Sequence, residues 1–148
     1  MKVNQQNIPL NILLADDDTD DRFFFEKALK EISIATHLTT VEDGEQLMDW
    51  LAENSDHLPD ILFLDLSMPR KTGFECLTEI TENEKLKDIP VVVFSTSFQR
   101  DINYENGLSK MLVDIGAQNF VRKPGNFEQL KEVIHQALIR VTEKANKD

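Results

Sequence analysis

The feature that most constrains this chain is Ile61-Leu62-Phe63-Leu64, four apolar residues in a row that stop at one carboxylate, Asp65, and then at Leu66-Ser67-Met68-Pro69-Arg70-Lys71-Thr72-Gly73. A continuous apolar run of this length fits a strand buried on both faces, and the Pro and Gly beyond it mark a turn. Asp65 is therefore expected at the carboxyl end of a central strand. On this stretch alone it could equally cap the following helix or open the turn.

Other apolar runs also end at polar residues. Leu10 to Ala15 stops at Asp16-Asp17-Asp18-Thr19-Asp20-Asp21, and Val91-Val92-Val93-Phe94 stops at Ser95-Thr96-Ser97. Asn119-Phe120-Val121 runs into Arg122-Lys123-Pro124, and a weaker strand is expected at about 35–41. Between these runs the apolar residues recur at helical spacing. Phe24, Ala28, Leu29 and Ile32, with Phe25 beside them, predict a packing face on a first helix capped by Thr19 or Asp20. Leu47, Met48, Trp50 and Leu51 mark a second helix, and Phe74, Leu77 and Ile80 a third. From Phe98 to Gly116 only Leu108 to Ile115 has a helical pattern, and Asn103, Asn106 and Gly107 predict an irregular first half. A last helix is expected from about Phe127 to Thr142, with Glu143 to Asp148 too polar and short for another element.

Five strands alternating with five helices imply an α/β domain, a mostly parallel sheet covered on both faces, with the core over about 10–142 of the 148 residues and short polar termini. Right-handed crossovers bring the carboxyl ends of all strands to one edge, where such folds bind ligands. Asp16, Asp17, Asp65, Ser95 and Lys123 would meet there. The formal charge of −11 argues against direct nucleic-acid binding. The lone Cys76 excludes an internal disulfide framework and reads as a buried small hydrophobe. His37 and His57 lack metal-ligand spacing and read as surface or loop residues. With no apolar leader and no membrane-spanning run, the expected location is the cytoplasm, with no membrane partner.

Capping needs one or two carboxylates, and six residues containing five Asp exceed that need. Clustered carboxylates repel, and a hard divalent cation such as Mg²⁺ relieves the repulsion through oxygen ligands. A cation beside Asp65 would screen an incoming phosphoryl group and leave a carboxylate oxygen able to attack it. Lys123 could pair with the resulting acyl phosphate, and Ser95 could donate a hydrogen bond to one of its oxygens.

These residues resemble the receiver domains of two-component response regulators, specifically the stand-alone chemotaxis-regulator type. The resemblance spans about Leu10 to Val141. It rests on the acidic pair after strand one, Leu64-Asp65-x-x-Met68-Pro69-x-x-x-Gly73, the hydroxyl residue after strand four and Lys123-Pro124 after strand five. It implies a flavodoxin-like sheet of order 2-1-3-4-5. It also implies Asp65 as phosphoacceptor, and Asp16, Asp17, Asp65 and the Ser67 backbone carbonyl as ligands of Mg²⁺ (or Mn²⁺). Ser95 and Thr96 would flank the phosphate, with Ser95 the switch hydroxyl, Phe120 the aromatic that turns with it, and Lys123 the phosphate partner. Lys123-Pro124 becomes a candidate cis peptide.

The implied partners are a histidine kinase or histidine phosphotransfer protein and a downstream protein on the helix four, strand five, helix five face, with no direct nucleic-acid contact. With no output domain in sight, the chain is expected to signal by protein contact or phosphorelay. It would not be an enzyme beyond its own Mg²⁺-dependent phosphorylation and dephosphorylation.

Two departures stand out. Thr96 is bulkier than the Ala or Gly usual after the switch hydroxyl, which implies slower labelling by small phosphodonors; an unchanged rate in Thr96→Ala would remove the idea. The 28 positions from Ser95 to Lys123 exceed the family's usual separation, so the strand-four-to-helix-four region is expected to be enlarged, either as a private signalling surface or as a tolerated surface loop. Asp16-Asp17-Asp18 also loosely matches the Asp-x-Asp nucleophile of haloacid dehalogenase phosphatases, but Asp20 stands where that motif wants Thr or Val. A pseudo-receiver that binds proteins without phosphorylation is a third alternative.

Overall fold

The structure, a computed structural model, describes residues 8–96 and 102–147, the side chains of 102–106 and 144–147 excepted. The described residues form β1 (Leu10–Ala15), α1 (Thr19–Glu31), β2 (Thr36–Val41), α2 (Gly44–Glu53), β3 (Ile61–Leu64), α3 (Gly73–Glu82), β4 (Val91–Ser95), α4 (Ile102–Ile115), β5 (Asn119–Arg122) and α5 (Phe127–Lys147). The strands build one sheet in the order β2-β1-β3-β4-β5, with every neighbouring pair parallel.

The continuous apolar runs hide a period of two, because each face of the sheet has its own core. Leu13, Ala15, Leu62, Leu64, Val91 and Val93 pack under α2, α3 and α4 with Leu47, Leu51, Cys76, Leu77, Ile80 and Leu112. The alternate residues Ile12, Leu14, Ile61, Phe63, Val92 and Phe94 pack under α1 and α5 with Phe25, Ala28, Leu29, Ile134, Ala137, Leu138 and Val141. Phe25, Phe63 and Phe94 meet edge to face with ring centroids 4.9–6.0 Å apart, the arrangement that aromatic quadrupoles favour.

Two glycines let the backbones around the carboxyl edge close up. A Cβ on Gly73 would lie 2.3 Å from the Asp65 carbonyl oxygen, and one on Gly44 would lie 2.0 Å from the Lys71 carbonyl oxygen. The start of α3 therefore rests against the Asp65 backbone, and the start of α2 against the loop that follows. Thr72 and Glu75 form a reciprocal capping box at the head of α3, fixing that approach.

Several expectations change. The cap of α1 is Asp18, one residue earlier than expected, because its backbone N–H donates to Asp16 Oδ1 at 2.9 Å while its own carboxylate accepts from Asp21 N at 3.0 Å. Phe25, not Phe24, leads the buried face of α1, and Phe24 is exposed with Phe23. With three consecutive Phe residues, periodicity leaves the rotation of the helix open and packing against Phe63 selects one.

Helix α4 begins at Ile102, so the expected irregularity does not occur within 102–107, and residues 97–101 lie outside the described residues. Gly107 costs a helix about 1 kcal/mol relative to Ala. Burial of Leu112 and packing of α4 against α3 and β5 offset that. Helix α5 runs on to Lys147, because residues past Thr142 add to an existing helix, which is easier than nucleating a new one.

Candidate functional site

The backbone of the site is an extension of the sheet. Just past the strand ends, Asp16 N donates to Val41 O (3.1 Å), Asp65 N to Ala15 O (3.0 Å) and Lys123 N to Ser95 O (3.0 Å). Each of these three residues is thus held by one more ladder bond to the neighbouring strand, so its position is set by the rigid core rather than by a loop.

The side chains converge. Ser95 Oγ donates to Asp65 Oδ1 at 2.8 Å, and Ser67 N approaches the same oxygen at 3.3 Å. Lys123 Nζ donates to Asp16 Oδ2 at 2.7 Å, Asp21 Oδ2 at 2.8 Å and Asp65 Oδ2 at 3.4 Å. Asp16, Asp65 and Ser95 are buried, whereas Asp17, Ser67 and Thr96 are exposed. Arg22 Nη1 donates to the Asp16 carbonyl oxygen at 2.7 Å, tying α1 to the edge of the sheet.

Burial raises the Asp16 carboxyl to about 6, against the pull of the Lys123 ammonium. Burial opposes the Lys123 charge too, yet its hydrogen bonds to Asp16 and Asp21 prevail and hold it above the usual lysine range. The lysine is therefore a fixed positive charge at neutral pH.

Oxygen atoms of Asp16, Asp17 and Asp65 lie within 4.8 Å of one another. An all-oxygen donor set with one exposed member fits Mg²⁺ or Mn²⁺, hard ions that keep several waters. Lys123 sets a positive charge against two of these acids, Asp16 and Asp65.

Residues 12–135 match the response regulator receiver domain. The chain belongs to that family. This receiver is 36% identical over 102 residues to response regulator Rcp1 of Synechocystis sp., covering 66% of this chain and 69% of that protein. It is 35% identical over 136 residues to two-component response regulator ARR15 of Arabidopsis thaliana, covering 84% of this chain and 62% of that one.

Among solved structures it superposes on the phosphorylated cyanobacterial phytochrome response regulator RcpA with a TM-score of 0.75 at 30% identity, over 88% of this chain and 91% of the other. The Mn²⁺-bound form of Rcp1 gives 0.73 at 30% identity, over 86% and 91%. The flavodoxin-like fold and the membership in two-component signalling follow directly.

Asp16, Asp17, Asp65, Ser95 and Lys123 are thus gathered at one edge. The Ser67 N–H faces the Asp65 carboxylate, and Thr96 stands with Lys123 on the wall of an open cleft beside α5. Phe120 is half-buried against the core under α2, α3 and α4. It pairs with Val93 in register, on the sheet face that by alternation also carries Ser95.

The Lys123-Pro124 bond is trans, since no cis peptide occurs among the described residues. Trans is favoured for X–Pro by about 0.5–1 kcal/mol, and in this form the ladder bond to Ser95 and the reach of Nζ to the acids are both satisfied.

The residue that sequence reasoning missed is Asp21. Within an acidic helix start it looked like one more favourable charge at the helix dipole. Its partner lies 102 positions away, and no local pattern points to it.

Cys76 is buried, its thiol pushed up to about 12 by burial and its Sγ directed at the Gly44 carbonyl at 3.6 Å. It serves the packing of α2 on α3. No helix among the described residues is long and apolar enough to cross a membrane.

Proposed function

We propose that Asp65 accepts a phosphoryl group from a histidine kinase or histidine phosphotransfer protein, with a divalent cation, Mg²⁺ or Mn²⁺, held by Asp16, Asp17, Asp65 and the Ser67 carbonyl. The observation that carries this reading is the division of the Asp65 carboxylate. One oxygen accepts from the Ser95 hydroxyl, and the other faces the Lys123 ammonium inside a group of three convergent carboxylates. A bound cation supplies charge screening between the carboxylate and the incoming phosphoryl oxygens.

In the transfer an Asp65 oxygen bonds to phosphorus while the phosphorus–nitrogen bond to the donor imidazole breaks, its electron pair staying on nitrogen. Lys123 and Ser95 then have phosphoryl oxygens to serve as well as the carboxylate. Ser95 turns toward the phosphate, and Phe120 follows into the space that opens on their shared face of the sheet. This local change biases a two-state equilibrium of the α4, β5, α5 surface. The charge of −11 weighs against nucleic acid as the target, and a single buried cysteine suits the cytoplasm. Water attack on the same phosphorus would return free Asp65, so the chain's own chemistry is limited to gaining and losing one phosphoryl group.

The test is intact-mass spectrometry after incubation with acetyl phosphate or phosphoramidate and Mg²⁺, beside Asp65→Asn. The expected result is a Mg²⁺-dependent, hydroxylamine-labile gain of one phosphoryl group in the wild type alone. If neither small donors nor a panel of phosphorylated histidine kinases labels Asp65, the pseudo-receiver alternative replaces this reading. Turnover of a phosphomonoester through Asp16 would favour the phosphatase.

A further inference from the structure

We propose that Asp21 is a positioning residue that holds the Lys123 ammonium away from the phosphoryl acceptor, and so weakens the grip of the site on a phosphoryl group. The inference rests on Asp65 being that acceptor. Lys123 Nζ has three hydrogens and three carboxylate partners, Asp16 at 2.7 Å, Asp21 at 2.8 Å and Asp65 at 3.4 Å. The ammonium is fully committed, and the partner it serves at the longest distance is the proposed nucleophile. For Lys123 to donate to a phosphoryl oxygen on Asp65, one of its present partners must give way.

The two short contacts differ in what can release them. Asp16 is one of the three acids whose oxygens converge, so a cation there competes with Lys123 for it. Asp21 stands outside that group, so a cation held by it does not compete with Lys123 for Asp21. It is also well anchored. It lies in the first turn of α1, where its backbone N–H is taken by the Asp18 cap, and its carboxylate is the part directed to Lys123. Arg22 ties the same turn to the Asp16 carbonyl.

Asp21 and Lys123 share the wall of a cavity of about 240 Å³ with Phe24, Phe94 and Phe127, which gives the lysine side chain room to exchange partners. The Asp21 side chain is 40% exposed, so its hold on Lys123 is that of a partly solvated pair, strong enough to compete and weak enough to yield.

The experiment uses beryllofluoride, a noncovalent phosphoryl mimic, titrated calorimetrically with saturating Mg²⁺ into wild type, Asp21→Asn and Asp20→Asn. Asp20 sits in the same turn, and the Lys123 ammonium pairs with Asp16, Asp21 and Asp65 and not with Asp20, so it controls for simple loss of negative charge. Asp21→Asn is expected to bind beryllofluoride about 3- to 10-fold more tightly, and Asp20→Asn less than about 2-fold. The ¹⁵N resonance of Lys123 Nζ in the free protein should shift in Asp21→Asn and stay in place in Asp20→Asn, a readout that a merely structural role would not move.

Equal gains in both variants would reduce the effect to the field of one charge and overturn the proposal. Unchanged or weaker binding in Asp21→Asn would overturn it as well. If wild type with Mg²⁺ binds no beryllofluoride, the phosphoacceptor reading itself fails, and this inference with it.

Discussion

Ser95 Oγ donates to Asp65 Oδ1 at 2.8 Å across the carboxyl ends of the adjacent strands β3 and β4, and both groups are buried. A hydroxyl serving a buried carboxylate is a charge-assisted contact worth about 1.5–3 kcal/mol. Ser95→Ala is expected to lower unfolding stability by about 1–2 kcal/mol and to slow labelling of Asp65 by about 10-fold or more, whereas Ser95→Thr retains both. Urea unfolding and time-resolved intact-mass spectra measure the two effects. An alanine variant that labels at the wild-type rate would remove Ser95 from the proposed phosphoryl site.

Lys123 compensates Asp16, Asp21 and Asp65 together. Removing one partner of a buried ion pair strands the others, at a cost of about 3–5 kcal/mol. Lys123→Met should therefore be strongly destabilised in EDTA. It should regain a larger share of its stability on adding Mg²⁺ than wild type gains, because the cation takes over the compensating charge. Thermal melts with and without Mg²⁺ give the comparison, and equal increments in the two proteins would contradict it.

Asp16 behaves oppositely. Burial raises its carboxyl from 3.8 to about 6, so the ionised form is disfavoured in the fold. The native state binds more protons than the unfolded state between those values, and stability contributed by this group falls as pH rises through that window. Asp16→Asn leaves one acceptor oxygen where the carboxylate serves two donors, the Asp18 N–H at Oδ1 and Lys123 at Oδ2. It should remove the penalty of burying the charge, so that in the cation-free protein its stability relative to wild type rises between pH 4 and pH 7.5. The same variant should lose most of its stabilisation by Mg²⁺. Urea unfolding from pH 4 to 8 decides, and a gain independent of pH would assign the effect elsewhere.

Gly73 is where α3 meets the Asp65 backbone. An added Cβ would sit 2.3 Å from the Asp65 carbonyl oxygen and 2.7 Å from Leu66 Cα, and backbone on both sides cannot yield as a flexible side chain would. Gly73→Ala is expected to cost about 2–4 kcal/mol and to lower Tm by roughly 4–16 °C. It should also slow labelling by moving the Asp65–Ser67 segment. A calorimetric melt that matches wild type would show that α3 can shift without strain.

Much of the fold was legible because the sheet is covered on both faces. Ile61–Leu64 and Val91–Phe94 had to be continuous apolar runs, and such runs locate β3 and β4 without any partner in view. Asp16, Asp65, Ser95 and Lys123 were legible for a related reason, being the polar residues at which apolar runs stop. The rotation of α1 was not. Phe23, Phe24 and Phe25 are equivalent to any local pattern, and only contact with Phe63 and Phe94 distinguishes Phe25. Helix α4 likewise depends on burial of Leu112 more than on the propensity of residues 102–107.

The sequence by itself determined the strand positions, the parallel α/β class and the acids, hydroxyl and lysine at one edge, because burial and strand ends are written in residue type and spacing. Only the tertiary structure decided which carboxylates share the Lys123 ammonium. That choice is made by the packing of α1 beside α5 on one face of the sheet, which carries Asp21 to within 2.8 Å of a residue 102 positions away. Short-range chemistry between distant segments depends on distances of a few tenths of an ångström, and those are set by how the core packs.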